Sequence, residues 1–348
     1  MRRPPLFVLP LCLCGFAAIP AHAGDIAACA TIVDDHARLA CYDAAARPSP
    51  PAAAPRPEAE PRLGRIAPPQ ASMAEGADRS MIGERWSRYD DAARDPFLIR
   101  LHNANYVMVR HSDRVDAVPA TPSHPDTGGP ADIQRDELKF QVSFKARLWD
   151  SEKLGLATWL GYTQQSDWQM FNASQSRPFR ETDYQPELMF VMQPDMPLAG
   201  ALRWQLLNLG FVHQSNGRSD PMSRSWNRVY AQFGIEDDHF AGGKIAVFVR
   251  AWVRIHESAA KDDNPDIADY LGYGDLTLLW RHGEQTLTFT GRGNPATGKG
   301  AAQIEWSAPA IGPFRFYLQA FTGYGESLID YNFRQTVIGV GFSLNDLL

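Results

Sequence analysis

From about residue 105 onward, apolar and polar side chains alternate with a period of two. Val142, Phe144, Ala146 and Leu148 interleave with Gln141, Ser143, Lys145 and Arg147. Successive side chains of a strand point to opposite faces, so such a segment has one apolar and one charged face. Leu287 and Phe289 alternate with Thr286, Thr288 and Thr290, and Phe314, Phe316, Leu318 and Ala320 alternate with Arg315, Tyr317 and Gln319. Near the end, Ile338, Val340, Phe342 and Leu344 interleave with the small Gly339, Gly341 and Ser343. Twelve segments of this kind are present, at roughly 105–110, 138–149, 155–165, 186–195, 203–213, 227–235, 244–254, 271–281, 285–292, 301–307, 314–323 and 335–344. An even number of strands of this length, with aromatics toward their ends, predicts an all-β fold: a twelve-stranded antiparallel transmembrane β-barrel, whose closure satisfies every backbone group in lipid. A secreted β-sandwich alternates in the same way. Strand length, the aromatic strand ends and a last strand finishing four residues from Leu348 favour the barrel.

The first hundred residues have a different texture. Arg2 and Arg3, an apolar run from Leu6 to Phe16 and Ala21-His22-Ala23 have the layout of a signal peptide over residues 1–23, with cleavage before Gly24. A lipoprotein signal fits poorly, because Leu13 precedes Cys14 where a small residue is needed. Cys29 and Cys41 then remain, and in an exported chain they are expected to form one local disulfide rather than a metal site or two free thiols. Residues 24–46 read as a short Cys-containing helical segment. Residues 47–95 read as a Pro/Ala-rich, largely disordered linker. Together they make an N-terminal periplasmic extension to a barrel domain over 96–348. The net charge of −6 gives no sign of nucleic-acid binding. No run of eighteen apolar residues follows the signal, so a spanning helix is not expected.

One stretch, from His213 to Arg228, departs from the plain alternation. Leu207, Leu209, Phe211, His213 and Ser215 occupy successive odd positions, so His213 and Ser215 continue an apolar, lipid-facing row. Asn227 heads a second such row through Val229, Ala231 and Phe233, and Asn216-Gly217 and Asp220-Pro221 supply turn chemistry between them. A Ser, His or Asn in a strand is most often a solvated or hydrogen-bonded structural residue. Here three interrupt two apolar rows together, at a depth where lipid would penalise each one alone. A serine hydroxyl is a poor nucleophile until an imidazole takes its proton, and the imidazole needs a third group to fix its tautomer.

Four motifs carry a family resemblance: the 213–228 stretch, Pro178-Phe179-Arg180-Glu181-Thr182, Asp263-Asn264-Pro265-Asp266-Ile267, and the run from Gly323 to Phe333. From about Asn105 to Leu348 the chain resembles outer membrane phospholipase A, a calcium-dependent lipase of Gram-negative outer membranes. The resemblance implies hydrolysis of acyl esters of phospholipids and lysophospholipids (A1 and A2 activity), with Ser215 as nucleophile, His213 as general base and later acid, and Asn227 orienting His213. It implies Ca²⁺ beside the oxyanion, held by the Ser223 hydroxyl, the Arg218 carbonyl and the Ser176 carbonyl of a second subunit. Asp220 and Asp263 match a second, weaker calcium mode; read by themselves they are ordinary loop carboxylates. All of these donors are oxygens, as a hard cation prefers. The resemblance also implies a dormant monomer and an active homodimer, with Gln164 paired across the membrane-embedded interface. On spacing alone, Gln164 reads as a strand-end or lumen-facing polar residue.

Three features depart from the family pattern. Residues 24–95 have no counterpart in shorter members. Gln214 stands where a carboxylate can occur, and Leu348 stands where barrel proteins usually end in an aromatic residue. A non-catalytic barrel (porin or adhesin) and a soluble secreted esterase are the other classes compatible with parts of the pattern.

Overall fold

The structure, a computed structural model, describes residues 29–46, 79–87, 99–129, 131–151 and 153–346. The signal-peptide stretch and most of the linker lie outside the described residues. The chain divides into two compact units, Met1–Glu60 and Pro61–Leu348.

In the first unit, helix α1 (Asp35–Ala46) starts where Asp34 Oδ1 accepts the Ala37 N–H at 2.9 Å, an N-cap that satisfies one orphan donor of the first turn. The described helix begins at Asp35, so residues 30–34 lie outside it, although the sequence pattern predicts one helix over 24–46. Cys41 therefore lies inside α1 rather than near its end. A disulfide joins it to Cys29, with the two Cα atoms 5.6 Å apart.

The second unit is built on one fourteen-stranded sheet. Its strands are β1 (Ile99–Leu101), β2 (Asn105–Ser112), β3 (Asp136–Ser151), β4 (Leu156–Trp168), β5 (Phe179–Met192), β6 (Met196–Ala199), β7 (Leu202–Ser215), β8 (Ser225–Phe240), β9 (Gly243–Ile255), β10 (Gly274–His282), β11 (Gln285–Asn294), β12 (Lys299–Pro309), β13 (Arg315–Tyr324) and β14 (Arg334–Asn345). The short β1 and β6 are appended to β3 and β7. The other twelve pair antiparallel with their neighbours, and β14 returns to β2, closing the barrel. The soluble sandwich is thereby excluded as the fold.

The alternation appears as two surfaces. Val142, Phe144, Leu287, Phe316, Leu318, Ile338, Val340 and Phe342 are exposed on the outside, while Ser143, Lys145, Arg147, Thr286 and Thr288 are buried inside. Apolar outside and polar inside is the arrangement a barrel needs in lipid. No described helix is long and apolar enough to cross a membrane.

Two strand starts differ from expectation by three residues or more, and β8 runs five residues past its expected end at 235. β5 begins at Phe179, not near 186, because Pro186 sits within the strand: it pairs with Tyr162 of β4, while the β5–β7 ladder passes from Tyr184↔Ser215 to Glu187↔Val212 without it. A residue lacking an N–H is tolerated at such a gap. β10 begins at Gly274, after helix α3 (Ile267–Leu271) and Gly272, whose φ of +71° and contact with the Gly293 carbonyl leave no room for a Cβ.

Residues 79–87 fall within the stretch read as linker, and here that reading is corrected. Ser80 Oγ caps helix α2 (Met81–Arg85) through Gly83 N–H at 2.8 Å, and Met81, Ile82 and Trp86 are buried. Lys145 Nζ stands 3.8 Å from the Trp86 ring centroid and donates to the Arg85 carbonyl at 2.8 Å. The Pro/Ala-rich composition ends before this apolar segment, which has a buried face to offer.

Buried charges fill the interior toward the opposite end. Arg110 contacts Glu137, Asp167 and Glu326, and Arg180 joins Glu137 to Asp330 through bonds of 2.8 Å each. The Arg180 and Asp330 motifs noted in sequence are therefore locked together inside the barrel. Burial alone would push the Glu326 carboxyl up, but Arg110, Lys139 and Arg180 outweigh it and hold it at about 2, against an ordinary 4.5. A depressed carboxyl contributes stability that is present above its unfolded value and lost as pH falls toward its folded one. The urea midpoint of the folded barrel is accordingly expected to drop as pH falls from 4.5 toward 2, with Glu326→Gln flattening that dependence. An unchanged slope in the variant would assign the acid sensitivity elsewhere.

Candidate active site

β7 and β8 form a hairpin in which His213 lies opposite Asn227, and Ser215 opposite Ser225. Leu209 and Phe211 are exposed on the outer face of β7, as is Val229 on that of β8. His213, Ser215 and Asn227 continue these rows at the end bearing the longer loops, and each is half-buried. His213 Nδ1 is 2.9 Å from Asn227 Oδ1. An amide oxygen can only accept, so Nδ1 carries the proton and Nε2 is the basic nitrogen. The Ser215 hydroxyl, on the same face, makes no hydrogen bond among the described residues.

The turn between the strands is organised by Asn216, which sequence reasoning treated only as turn chemistry. Buried, it donates to the Met222 carbonyl at 2.8 Å and accepts from Arg224 N–H at 2.9 Å. Gly217 follows with φ +64°, and a Cβ there would lie 3.0 Å from the Tyr184 ring. Arg224, fully buried, donates to the carbonyls of Pro221 (3.0 Å), Ser223 (2.7 Å) and Pro119 (2.5 Å), fastening the turn to the β2–β3 loop. Asn264 Oδ1 accepts the Ser225 N–H at 3.0 Å, fastening it to the β9–β10 loop as well.

The candidate metal ligands divide into two groups. Ser223 Oγ donates to Asp263 Oδ2 at 2.6 Å, which brings two of them into contact. His124, absent from the expected set, places Nε2 3.6 Å from Asp220 and 3.5 Å from Asp263, and the donor atoms of these three lie within 4.8 Å of one another. Arg218 is in the same turn, its guanidinium 3.3 Å from Glu181 Oε2. Ser176 stands apart in the β4–β5 loop, exposed, at φ +58°, with no bond to any of these residues. Gln164 is neither at a strand end nor facing the lumen. It lies on the outer face of β4 between the exposed Val142 and Tyr184, accepting from Tyr162 Oη at 3.0 Å.

The barrel has known counterparts. The sequence matches the family model described as phospholipase A1 over residues 82–344. The chain belongs to the phospholipase A1 family. Phospholipase A1 of Klebsiella pneumoniae is 40% identical over 260 residues, covering 73% of this chain and 84% of the relative. That of Escherichia coli K12 is 44% identical over 218 residues, 62% of this chain and 71% of the relative. A Neisseria meningitidis homologue, 45% identical over 259 residues, is longer, and the alignment takes in 66% of it. Among solved structures, a Salmonella typhi outer membrane phospholipase dimer with bound calcium superposes with a TM-score of 0.67 at 35% identity, covering 77% of this chain and all of that one. The Escherichia coli outer membrane phospholipase A gives 0.64 at 36% identity, covering 71% and 94%. The protein is therefore an outer-membrane barrel of this family, and a soluble esterase is excluded.

A further residue near the hairpin was also missed: Glu257, two positions past the end of β9, accepts from Asn227 Nδ2 at 2.9 Å. No motif marks it, and only the pairing of Asn227 with Ile255 across β8 and β9 brings the following residues alongside.

Proposed function

We propose that this protein hydrolyses acyl esters of phospholipids and lysophospholipids in the outer leaflet, by A1 and A2 cleavage, through an acyl-Ser215 intermediate. The observation that carries the reading is the His213–Asn227 bond on the lipid-facing side of the barrel, beside an unencumbered Ser215 hydroxyl. His213 Nε2 takes the Ser215 proton as the hydroxyl oxygen attacks the ester carbonyl. It then returns that proton to the departing lysophospholipid. Asn227 holds the ring and its tautomer. Water releases the fatty acid by the same proton path in reverse. Lipid reaches the site laterally, without passing through the lumen.

The donors around the turn suit calcium. The Ser223 hydroxyl gives its proton to Asp263 and keeps its lone pairs for a cation, and the Arg218 carbonyl and Asp220 add oxygen donors from the same turn. Ser223 and Arg218, with Ser176 of the partner subunit, form the proposed principal site; Asp220 and Asp263 form the weaker one. When bound, the ion supplies electrostatic stabilisation of the oxyanion. Ser176 is exposed and bonds to none of the turn residues of its own subunit, which supports an active homodimer. Gln164, polar on an apolar outer face, is assigned to the interface. In this reading the chain is exported with a cleaved signal peptide.

The test is fatty-acid release from a diacylphospholipid in mixed micelles by refolded protein, together with covalent labelling by a sulfonyl fluoride and peptide mapping. Release with calcium and labelling confined to Ser215 are expected. A folded barrel that releases no fatty acid would return the protein to the non-catalytic class.

A further inference from the structure

We infer that Glu257 is a positioning residue that selects the working orientation of the Asn227 amide, extending the relay to Ser215–His213–Asn227–Glu257; the inference rests on the proposed esterase reading. An asparagine in the third position of such a relay has a difficulty that a carboxylate does not share. A carboxylate presents an acceptor to the imidazole whichever way it turns, whereas an amide presents oxygen in one orientation and NH₂ in the other. With NH₂ toward His213, Nδ1 would have to accept, and the ring proton would move to Nε2. That tautomer cannot take a proton from Ser215. The wrong tautomer in a serine triad costs about 10⁴-fold in kcat, as in the trypsin-type example.

The structure supplies a device that decides between the two. Glu257 Oε1 lies 2.9 Å from Asn227 Nδ2, and Asn227 Oδ1 lies 2.9 Å from His213 Nδ1. An ionised carboxylate can only accept, so the amide must turn its NH₂ to Glu257 and its oxygen to His213. The bond to Asn227 is the side-chain hydrogen bond that Glu257 makes among the described residues, and Glu257 has no cationic partner there that would divert it. The geometry follows from the register. His213 faces Asn227 across β7 and β8, and Asn227 faces Ile255 across β8 and β9, so the residue two beyond Ile255 lies just past the rim. Glu257 is half-buried in the loop, so the full charge stays out of the lipid-facing row while its hydrogen-bonding sense is passed inward through a neutral amide.

The test compares the refolded full chain with Glu257→Ala and Glu257→Gln, and repeats Glu257→Ala in an Asn227→Asp background, where the third group needs no orienting. Folding is checked by circular dichroism and by gel mobility without heating. Glu257→Ala is expected to lower kcat about tenfold with KM within about twofold, the pattern of a general-base defect rather than of lost substrate binding. Glu257→Gln, which keeps an acceptor, is expected within about threefold of wild type, and the double variant is expected to be no less active than Asn227→Asp alone, since the orienting role is gone and a like charge facing the new carboxylate is removed. Wild-type kcat in Glu257→Ala overturns the inference. So does an equal loss on adding Glu257→Ala to Asn227→Asp, which would mark a merely structural role. If the wild-type protein neither releases fatty acid nor is labelled at Ser215, the esterase reading itself has failed, and this inference falls with it.

Discussion

Ser215→Ala is expected to lower fatty-acid release by about 10³-fold or more while leaving the barrel folded, as removal of a serine nucleophile from a three-group relay does. The hydroxyl faces outward and makes no hydrogen bond among the described residues, so its loss deprives no internal group of a partner. A serine to alanine exchange at a half-exposed position costs little stability. Activity and folding should therefore separate cleanly. The readings are initial rates on mixed micelles and the urea midpoint of the refolded protein. A variant that kept more than a tenth of wild-type activity would show that the attacking oxygen comes from elsewhere, and the hairpin would lose its catalytic assignment.

Removal of calcium is expected to have the next largest effect, about 10²-fold or more on kcat, the scale at which a lost oxyanion stabiliser is felt. The turn and the β9–β10 loop beside it offer a hydroxyl, a carbonyl and two carboxylates, a set suited to the larger and less demanding ion. Added Ca²⁺ should restore the rate after chelation, and Mg²⁺, which insists on shorter bonds and retains its waters, should not. Because one proposed ligand comes from the second subunit, chelation should also shift the protein toward monomer in sedimentation velocity. Full activity in chelator would remove the metal from the mechanism, and activity restored equally by Mg²⁺ would contradict the oxygen cage inferred from Ser223, Arg218 and Ser176.

The barrel was legible in sequence because each strand has one face in lipid and one in a polar interior, a period-two signal that twelve segments repeat. The outward placement of His213, Ser215 and Asn227 was legible because they break that signal on the apolar face. The residues that support them were hidden for a physical reason. Asn216, Arg224 and Glu257 act through hydrogen bonds from turns and loops, where no periodicity restricts which residue meets which. His124 reaches Asp220 and Asp263 from a loop some hundred residues away in the chain, joined to the β9–β10 loop by Thr121 Oγ1 on the Asp263 carbonyl at 2.8 Å. The start of β5 was not legible because Pro186, a residue type that ordinarily marks a strand boundary, stands inside it. The pairing shows instead that the ladder omits its missing donor. Helix α2 went unread because only five residues form it, too few for a 3.6-residue period to declare itself.

The contents of the barrel also bear on what the host membrane can tolerate. Helix α2 and Trp86 occupy the lumen near the Lys145 side, and the Arg110, Lys139, Arg180, Glu137 and Glu326 charges engage one another further along. A tube so obstructed is a rigid frame for a site on its own outer wall. Under the proposed activation by a second subunit, the permeability barrier stays intact while the monomer waits in it, and damage to the envelope begins only when the outward-facing chemistry is switched on.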